Sequence, residues 1–331
     1  MDLTVKAKIF RNWSPIRLFW EKGQPFVDWC YLGRERFVQP FFDDTISRRF
    51  REPFNTLFRH QTPLEVLGKL SAQRSAIAPT GFIFHLSRCG STLVSQMLAA
   101  LAQNIVISEA SPISKILEAN FINPQITDQQ RIIWLRWMIE AFAQQRNIDE
   151  RYFFVKFDSW NTINLSLIER AFPDVPWIFL YRNPLEVIVS QMRQRGAQMI
   201  PGSIVHILPG MTLTDALQMP PEEYCARVLA RFCESALDNC QSPNALLVNY
   251  NQLPDAVTSE ILEHFRARYE AADIEMMKRA TQFDAKTPQM NFIPDTERKK
   301  SEASKAAHQA AEKWVNPLYE RLENVRRQNI L

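Results

Sequence analysis

Long apolar runs are missing from this chain of 331 residues: none approaches the roughly 18 residues that a membrane span needs. The opening Met-Asp-Leu-Thr-Val-Lys-Ala-Lys also lacks the basic-then-apolar layout of a secretory signal, so a soluble cytoplasmic protein is expected. Charge of one sign is missing too. The 39 basic and 36 acidic residues leave a net +3, too small a bias to argue for nucleic acid, and any basic site must be local. Cysteine is sparse and odd in number: Cys30, Cys89, Cys225, Cys233 and Cys240 are widely spaced, with no Cys-x-x-Cys pair and only 5 histidines to join a metal site. Reduced, buried thiols are expected. No internal repeat or low-complexity tract appears. What is present is a 46% share of hydrophobic residues, enough for a substantial core in one large α/β domain or two small ones, which excludes a disordered chain.

Residues 1–75 are rich in aromatics, with scattered Arg and Pro and short alternating stretches at Val27–Leu32 and Arg36–Val38. A hairpin turning near Gly33 is expected, in an appendage packed on the main domain, because Phe41, Phe42 and Phe54 need burial that so short a segment cannot supply. From residue 76 onward a single domain is expected. Apolar runs at Phe82–Leu86, Ile105–Ile107, Tyr152–Phe157, Trp177–Tyr181 and Ala245–Val248 alternate with helical periodicity, notably over 131–145 and 222–239. That alternation predicts an α/β fold with a parallel sheet of about five strands flanked by helices. The Gly- and Pro-broken but apolar stretch from Gly196 to Pro221 is expected to be a lid or a substrate wall. The block from 295 to 327 opens on Arg298-Lys299-Lys300 and ends in a helix with Trp314, Val315, Leu318, Leu322 and Val325 on one face, predicted to cap the sheet.

Two runs carry chemistry. In residues 82–98 an apolar strand passes through Ser87-Arg88-Cys89-Gly90-Ser91-Thr92 straight into an amphipathic helix, the way chains build anion-binding loops. Gly90 permits close backbone approach, Ser91 and Thr92 supply hydroxyls, and Arg88 supplies a fixed cation. The lysine and spacing of a nucleoside-triphosphatase loop are absent, so ordinary ATP chemistry is not expected. In the second run, Trp177–Ser190, a buried strand ends at Arg182, and Pro184 then starts a helix. Leu185, Ile188, Val189 and Met192 share one arc of that helix, and Ser190 falls with Glu186 and Arg193 on another that is able to turn toward a ligand. Arg182 stands at the carboxyl end of its strand, where open parallel sheets bind ligands.

The pair Ser87–Leu93 and Tyr181–Ser190 resembles the two cofactor motifs of sulfotransferases that use 3′-phosphoadenosine 5′-phosphosulfate (PAPS), and looks closest to their bacterial members. The resemblance implies a P-loop, nucleotide-kinase-like fold. It also implies that Arg88, Cys89, Gly90, Ser91 and Thr92 bind the 5′-phosphosulfate, Arg88 stabilising the bridging oxygen, while Arg182 and Ser190 hold the 3′-phosphate. Val155-Lys156-Phe157-Asp158 is similar to the family's lysine-bearing strand, and Val248–Leu253 to its Tyr-Glu-Asp-Leu turn. Cys89 stands where serine is usual and Asn251 where an acid is usual.

The implied activity is transfer of a sulfuryl group from PAPS, leaving adenosine 3′,5′-bisphosphate (PAP), to a hydroxyl or amine of a small-molecule or glycan acceptor. No metal is expected, since the donor has no terminal polyphosphate to clamp. Glu109, just after the second strand of the domain, is the expected base, with His206 its competitor. His85 is expected in the core or cleft wall, and Lys156 or Asp158 against cofactor or acceptor. Arg298–Lys300 resemble only loosely the basic turn that closes over the 3′-phosphate. A P-loop kinase-like phosphotransferase and a non-catalytic nucleotide-binding regulatory protein are the alternatives.

Overall fold

Aromatic and β-branched residues are concentrated in Trp13–Glu21 (β1) and Gln24–Tyr31 (β2), and with His60–Pro63 (β3) these form an antiparallel sheet in the order β1-β2-β3. The structure, a computed structural model, describes residues 10–72, 76–204, 208–282 and 302–328; His206 and Arg298–Lys300 lie outside them. Pairing of Glu21 with Gln24 leaves a two-residue turn, Lys22 and Gly23, with φ of 49° and 79°. Both residues are left-handed, the geometry that matches the twist of a tight hairpin. The hairpin therefore turns ten residues before the expected place, and Gly33, whose N–H bonds to Asn12 O at 3.3 Å, lies in the turn two residues after β2. Arg36–Val38 forms no strand, and Phe54 stays 44% exposed.

The second sheet is parallel throughout: Gly81–His85 (β4), Asn104–Ser108 (β5), Tyr152–Lys156 (β6), Trp177–Tyr181 (β7) and Ala245–Asn249 (β8) lie in the order β5-β6-β4-β7-β8. Every residue of β4, β5 and β7 is buried. This is why those strands read as continuous apolar runs and not as alternations. The expected five strands are all here, within one or two residues of the expected ends.

Seven of the helices frame the site and its core: Phe42–Arg49 (α1), Ser91–Ala99 (α2), Ser111–Leu117 (α3), Asp128–Phe142 (α4), Pro184–Arg193 (α5), Pro221–Asn239 (α6) and Asn316–Gln328 (α7). Helix α4 starts on a Thr127/Gln130 capping box. Helix α7 packs beside β8 with Leu322 fully buried, as the expected apolar face requires. The Gly196–Pro221 stretch is less irregular than expected, since it contains the short helix Leu213–Gln218 capped by Thr212.

The N-terminal segment joins the same hydrophobic core as the parallel sheet. Phe42 meets Phe142 of α4 edge-on at 5.4 Å and stacks on Phe37 at 5.4 Å. The Arg36 guanidinium donates to Ala99 O at 2.7 Å and to Leu101 O, satisfying carbonyls that the end of α2 leaves open. Phe42→Ala is expected to cost about 3–5 kcal/mol, and Phe54→Ala about 1 kcal/mol or less, in equilibrium denaturant unfolding. Equal losses would contradict the packing described.

Candidate functional site

Because the five strands run parallel and in register, the residue following each one emerges on the same edge of the sheet. Paired positions include His85 with Leu180, Ser108 with Lys156, and Tyr181 with Asn249. That edge receives Ser87 and Arg88 beyond β4, Glu109 beyond β5, Asp158 beyond β6, Arg182 beyond β7 and Tyr250 beyond β8. In open parallel sheets this is the edge where ligands bind.

The loop leaving β4 is held in an uncommon shape. Ser87, Arg88 and Gly90 have φ of 73°, 52° and 84°, and each left-handed non-glycine costs on the order of 1–3 kcal/mol. Local bonds hold it: Ser87 N–H donates to His85 Nδ1 at 3.1 Å, and Leu86 N–H to Leu180 O at 2.8 Å. The amides of Gln191 and Gln198 donate to Ser87 Oγ at 2.9 and 3.2 Å. The Cys89 thiol donates to Leu180 O at 3.1 Å, and burial pushes its pKa up to about 11. Cys89 is therefore an inert brace whose backbone alone faces the loop. Helix α2 then begins at Gly90 with no side-chain cap. Its first-turn N–H groups have no intrahelical acceptor, and the helix dipole adds positive potential there. A Cβ on Gly90 would lie 2.6 Å from Leu253 Cδ1 and 3.0 Å from Tyr250 Cδ2, so only glycine fits.

Beneath the loop lies a buried charged cluster. Lys156, fully buried, places Nζ 2.7 Å from Glu109 Oε1 and 3.4 Å from Thr92 Oγ1, with the Phe41 ring centroid at 4.9 Å. His85 Nδ1 accepts from Ser87, so its proton sits on Nε2, which faces Phe157 O at 3.1 Å and Glu109 Oε1 at 3.4 Å. Burial holds the His85 pKa below the usual imidazole value, against the opposing pull of Glu109. Burial alone would raise Glu109, but the Lys156 charge and the His85 bond outweigh it and hold the carboxyl well below the usual range. Asp158 goes the other way: burial, with the Glu109 charge added, pushes it up to about 8. Asn161 Nδ2 donates to Ser114 Oγ at 2.8 Å, and Ser114 Oγ donates to Asp158 Oδ2 at 2.6 Å, which fixes that carboxyl. Sequence reasoning singled out Lys156 and Asp158 but missed Phe41, Ser114 and Asn161, which belong to no motif.

Arg182 is buried at 4% exposure. Its Nε and Nη2 donate to Glu186 Oε2 at 2.7 and 2.5 Å, and its Cζ lies 3.9 Å from the Tyr250 ring centroid. Gly90 and Arg182 thus flank one ring. Glu186, expected on a face open to ligand, is instead buried against this guanidinium, because a charge this deep needs a partner. Ser190 lies one turn beyond Glu186 and is half-buried, so the guanidinium and the Ser190 hydroxyl share a helix face. At the opposite end of α5, Arg88 Nη2 donates to Gln194 O at 2.7 Å. The ten residues of α5 rise about 15 Å, so Arg182 and Arg88 mark its two ends. A cavity of about 420 Å³ opens beside the first turn of α5, lined by Asn183, His308, Glu312 and Glu320 among others; its two carboxylates unsuit it to an anion.

No known family profile and no curated protein matches this chain. Among solved structures it is similar to the sulfotransferase domain of the curacin biosynthetic pathway, at 18% identity and a TM-score of 0.44 over 72% of this chain and 98% of that one. It is also similar to a sulfotransferase from Alicyclobacillus acidocaldarius, at 11% identity and 0.44 over 75% and 96% of the two chains. A mouse sulfotransferase complexed with PAP matches at 12% identity and 0.45 over 79% and 92%. Likenesses this distant are of outline, and the chemistry rests on the residues described above.

The Asp158 carboxyl keeps a proton in the folded state up to about pH 8, whereas the unfolded chain releases it near 3.8, so this group's contribution to stability is full below pH 4 and is lost as pH rises toward 8. Unfolding of wild type and Asp158→Asn compared at several pH values isolates it, because all other titrating groups are shared. The wild type is expected to lose stability relative to the variant between pH 4 and 8; parallel curves would contradict the assignment.

Proposed function

We propose that this chain is a sulfotransferase that moves a sulfuryl group from PAPS to a hydroxyl or amine of a small-molecule or glycan acceptor. The observation that carries this reading is the spacing of cations on one sheet edge: Arg182 and Arg88 at the two ends of α5, with the uncapped N-terminus of α2 beside them. A nucleotide bearing phosphate on its 3′ side and phosphosulfate on its 5′ side needs such a pair of separated anion sites. A single-phosphate ligand would need only one.

In this reading the donor supplies an activated sulfuryl group, and the chain's own residues do the rest. The backbone N–H groups from Gly90 to Thr92, with the Ser91 and Thr92 hydroxyls, receive the 5′ end. Arg88 neutralises the charge that grows on the bridging oxygen as its bond to sulfur breaks and the acceptor–sulfur bond forms. Lys156, already against Thr92 and fully buried, adds a second cation. Arg182, held flat on Tyr250 by Glu186, receives the 3′-phosphate with Ser190.

The acceptor's proton goes to a carboxylate beside Lys156. Glu109, the base expected from sequence, is ionised and tied to Lys156, which makes it the weaker proton acceptor. Asp158, raised to about 8, already holds its own proton at neutral pH and is free to accept one only above about pH 8. Glu109, the carboxylate that is ionised at neutral pH, therefore takes the acceptor's proton, and Lys156 holds it in place.

Two features weigh against the alternatives. The Thr92 hydroxyl, which a magnesium-dependent kinase loop would turn to the metal, is engaged by Lys156. The cysteine at 89 makes the brace that a serine hydroxyl would make, so this departure from the family pattern is no sign of lost turnover.

Arg88→Ala is expected to lower kcat by roughly 10²–10³-fold with donor binding largely kept. Undiminished turnover would remove its role. PAP at about 100 times its dissociation constant should stabilise the protein by about 2.7 kcal/mol in thermal unfolding, and ATP at equal concentration much less. Equal shifts would overturn the donor assignment.

A further inference from the structure

We infer that Glu323, on helix α7, is a positioning residue for the 3′-phosphate end of the site, tying the carboxyl ends of β7 and β8 together so that Arg182 meets Tyr250. The inference rests on the donor reading above and adds to it a residue far away in sequence and belonging to neither motif.

The Glu323 carboxylate is a hub. Tyr181 Oη donates to Oε1 at 2.5 Å, Asn249 Nδ2 donates to the same oxygen at 2.9 Å, and Arg326 donates to Oε1 and Oε2 at 3.1 and 2.9 Å. Tyr181 and Asn249 are the last residues of β7 and β8 and stand opposite each other in register. The next residues along the two chains are Arg182 and Tyr250, the cation and ring 3.9 Å apart. One carboxylate therefore clamps both strand ends one peptide unit before the pair that receives the phosphate.

The clamp continues through the Asn249 side chain. Its Nδ2 bonds Glu323 and also Tyr319 Oη at 3.0 Å, while its Oδ1 accepts from Asn251 N–H at 3.0 Å. Asn249 N–H in turn donates to Gln252 Oε1 at 2.8 Å. These bonds shape the short turn Tyr250–Gln252 that presents the Tyr250 ring to both Arg182 and Gly90. A neutral amide in place of Glu323 would put an N–H₂ group among donors and strip the charge that anchors Arg326. The strand ends would then lose their common partner while the core beneath them stayed intact.

The test measures PAP affinity calorimetrically, and donor KM, acceptor KM and kcat, for wild type, Glu323→Gln and Tyr181→Phe, all below their unfolding temperatures. Glu323→Gln is expected to raise the PAP dissociation constant and donor KM roughly tenfold, leaving acceptor KM and kcat at saturating donor within about twofold. Tyr181→Phe, which deletes one donor to the hub together with that hydroxyl's contact with Arg326, is expected to move the same two constants the same way by a smaller factor. Val315→Ala, which loosens the buried face just before α7 without touching the hub, should lower stability and leave donor affinity unchanged. If wild type fails to bind PAP, the donor reading falls and this inference falls with it. If wild type binds PAP and both hub variants bind it equally well, the donor reading stands and the inference alone is overturned. Should Glu323→Gln not fold, Tyr181→Phe decides: unchanged donor constants overturn the inference.

Discussion

Parallel pairing of five strands in one register is the constraint that creates the site. Each strand contributes one hydrogen-bonded ladder and then releases its chain on the same edge. Residues as far apart in sequence as Ser87, Glu109, Asp158, Arg182 and Tyr250 converge there without any long loop to carry them. The central place of β4 matters most. Its neighbours on both sides hold the loop that leaves it, through Leu86 and Cys89 to Leu180 of β7, and through His85 to Phe157 beyond β6. Two left-handed non-glycine residues in one turn cost several kcal/mol together, and they persist because the strands over-determine them.

Charge is placed on this edge in pairs. Lys156 is buried against Glu109, and Arg182 against Glu186. Taking one member away would strand the other in low dielectric, which typically costs about 3–5 kcal/mol, so the cations are held before any ligand arrives. In the proposed reading an anion meets a preset array and does not have to organise flexible side chains. The same arrangement separates the two carboxyls beside Lys156, one ionised and one holding its proton, the condition under which neighbouring acids take different roles.

Much of this was legible in the residues because burial and backbone chemistry are local. Strands buried on both faces must be apolar throughout, so β4 and β7 announced themselves, as did the turn after β4 with its glycine, hydroxyls and arginine. What could not be read depends on where side chains meet. Nothing local to Glu186 says whether it faces solvent or Arg182. Nothing in Phe41, Ser114, Asn161 or Glu323 marks them, since each gains meaning only from a partner distant along the chain, in the extreme case 142 residues away for Glu323 and Tyr181. The left-handed backbone at Ser87, Arg88 and Glu109 was hidden because glycine, its usual signal, is absent there. The hairpin was misplaced for a related reason: Gly33 does have positive φ, but Lys22 and Gly23 supply the two consecutive left-handed residues that the turn needs.

The most direct measurement is a crystal structure of the protein with PAP bound. The account predicts one nucleotide lying along the carboxyl edge, its 5′-phosphate on the backbone N–H groups from Gly90 to Thr92 and its 3′-phosphate within hydrogen-bonding distance of Arg182 and Ser190. A nucleotide seated elsewhere, or one reaching the α2 N-terminus with its 3′-phosphate pointing away from Arg182, would contradict it.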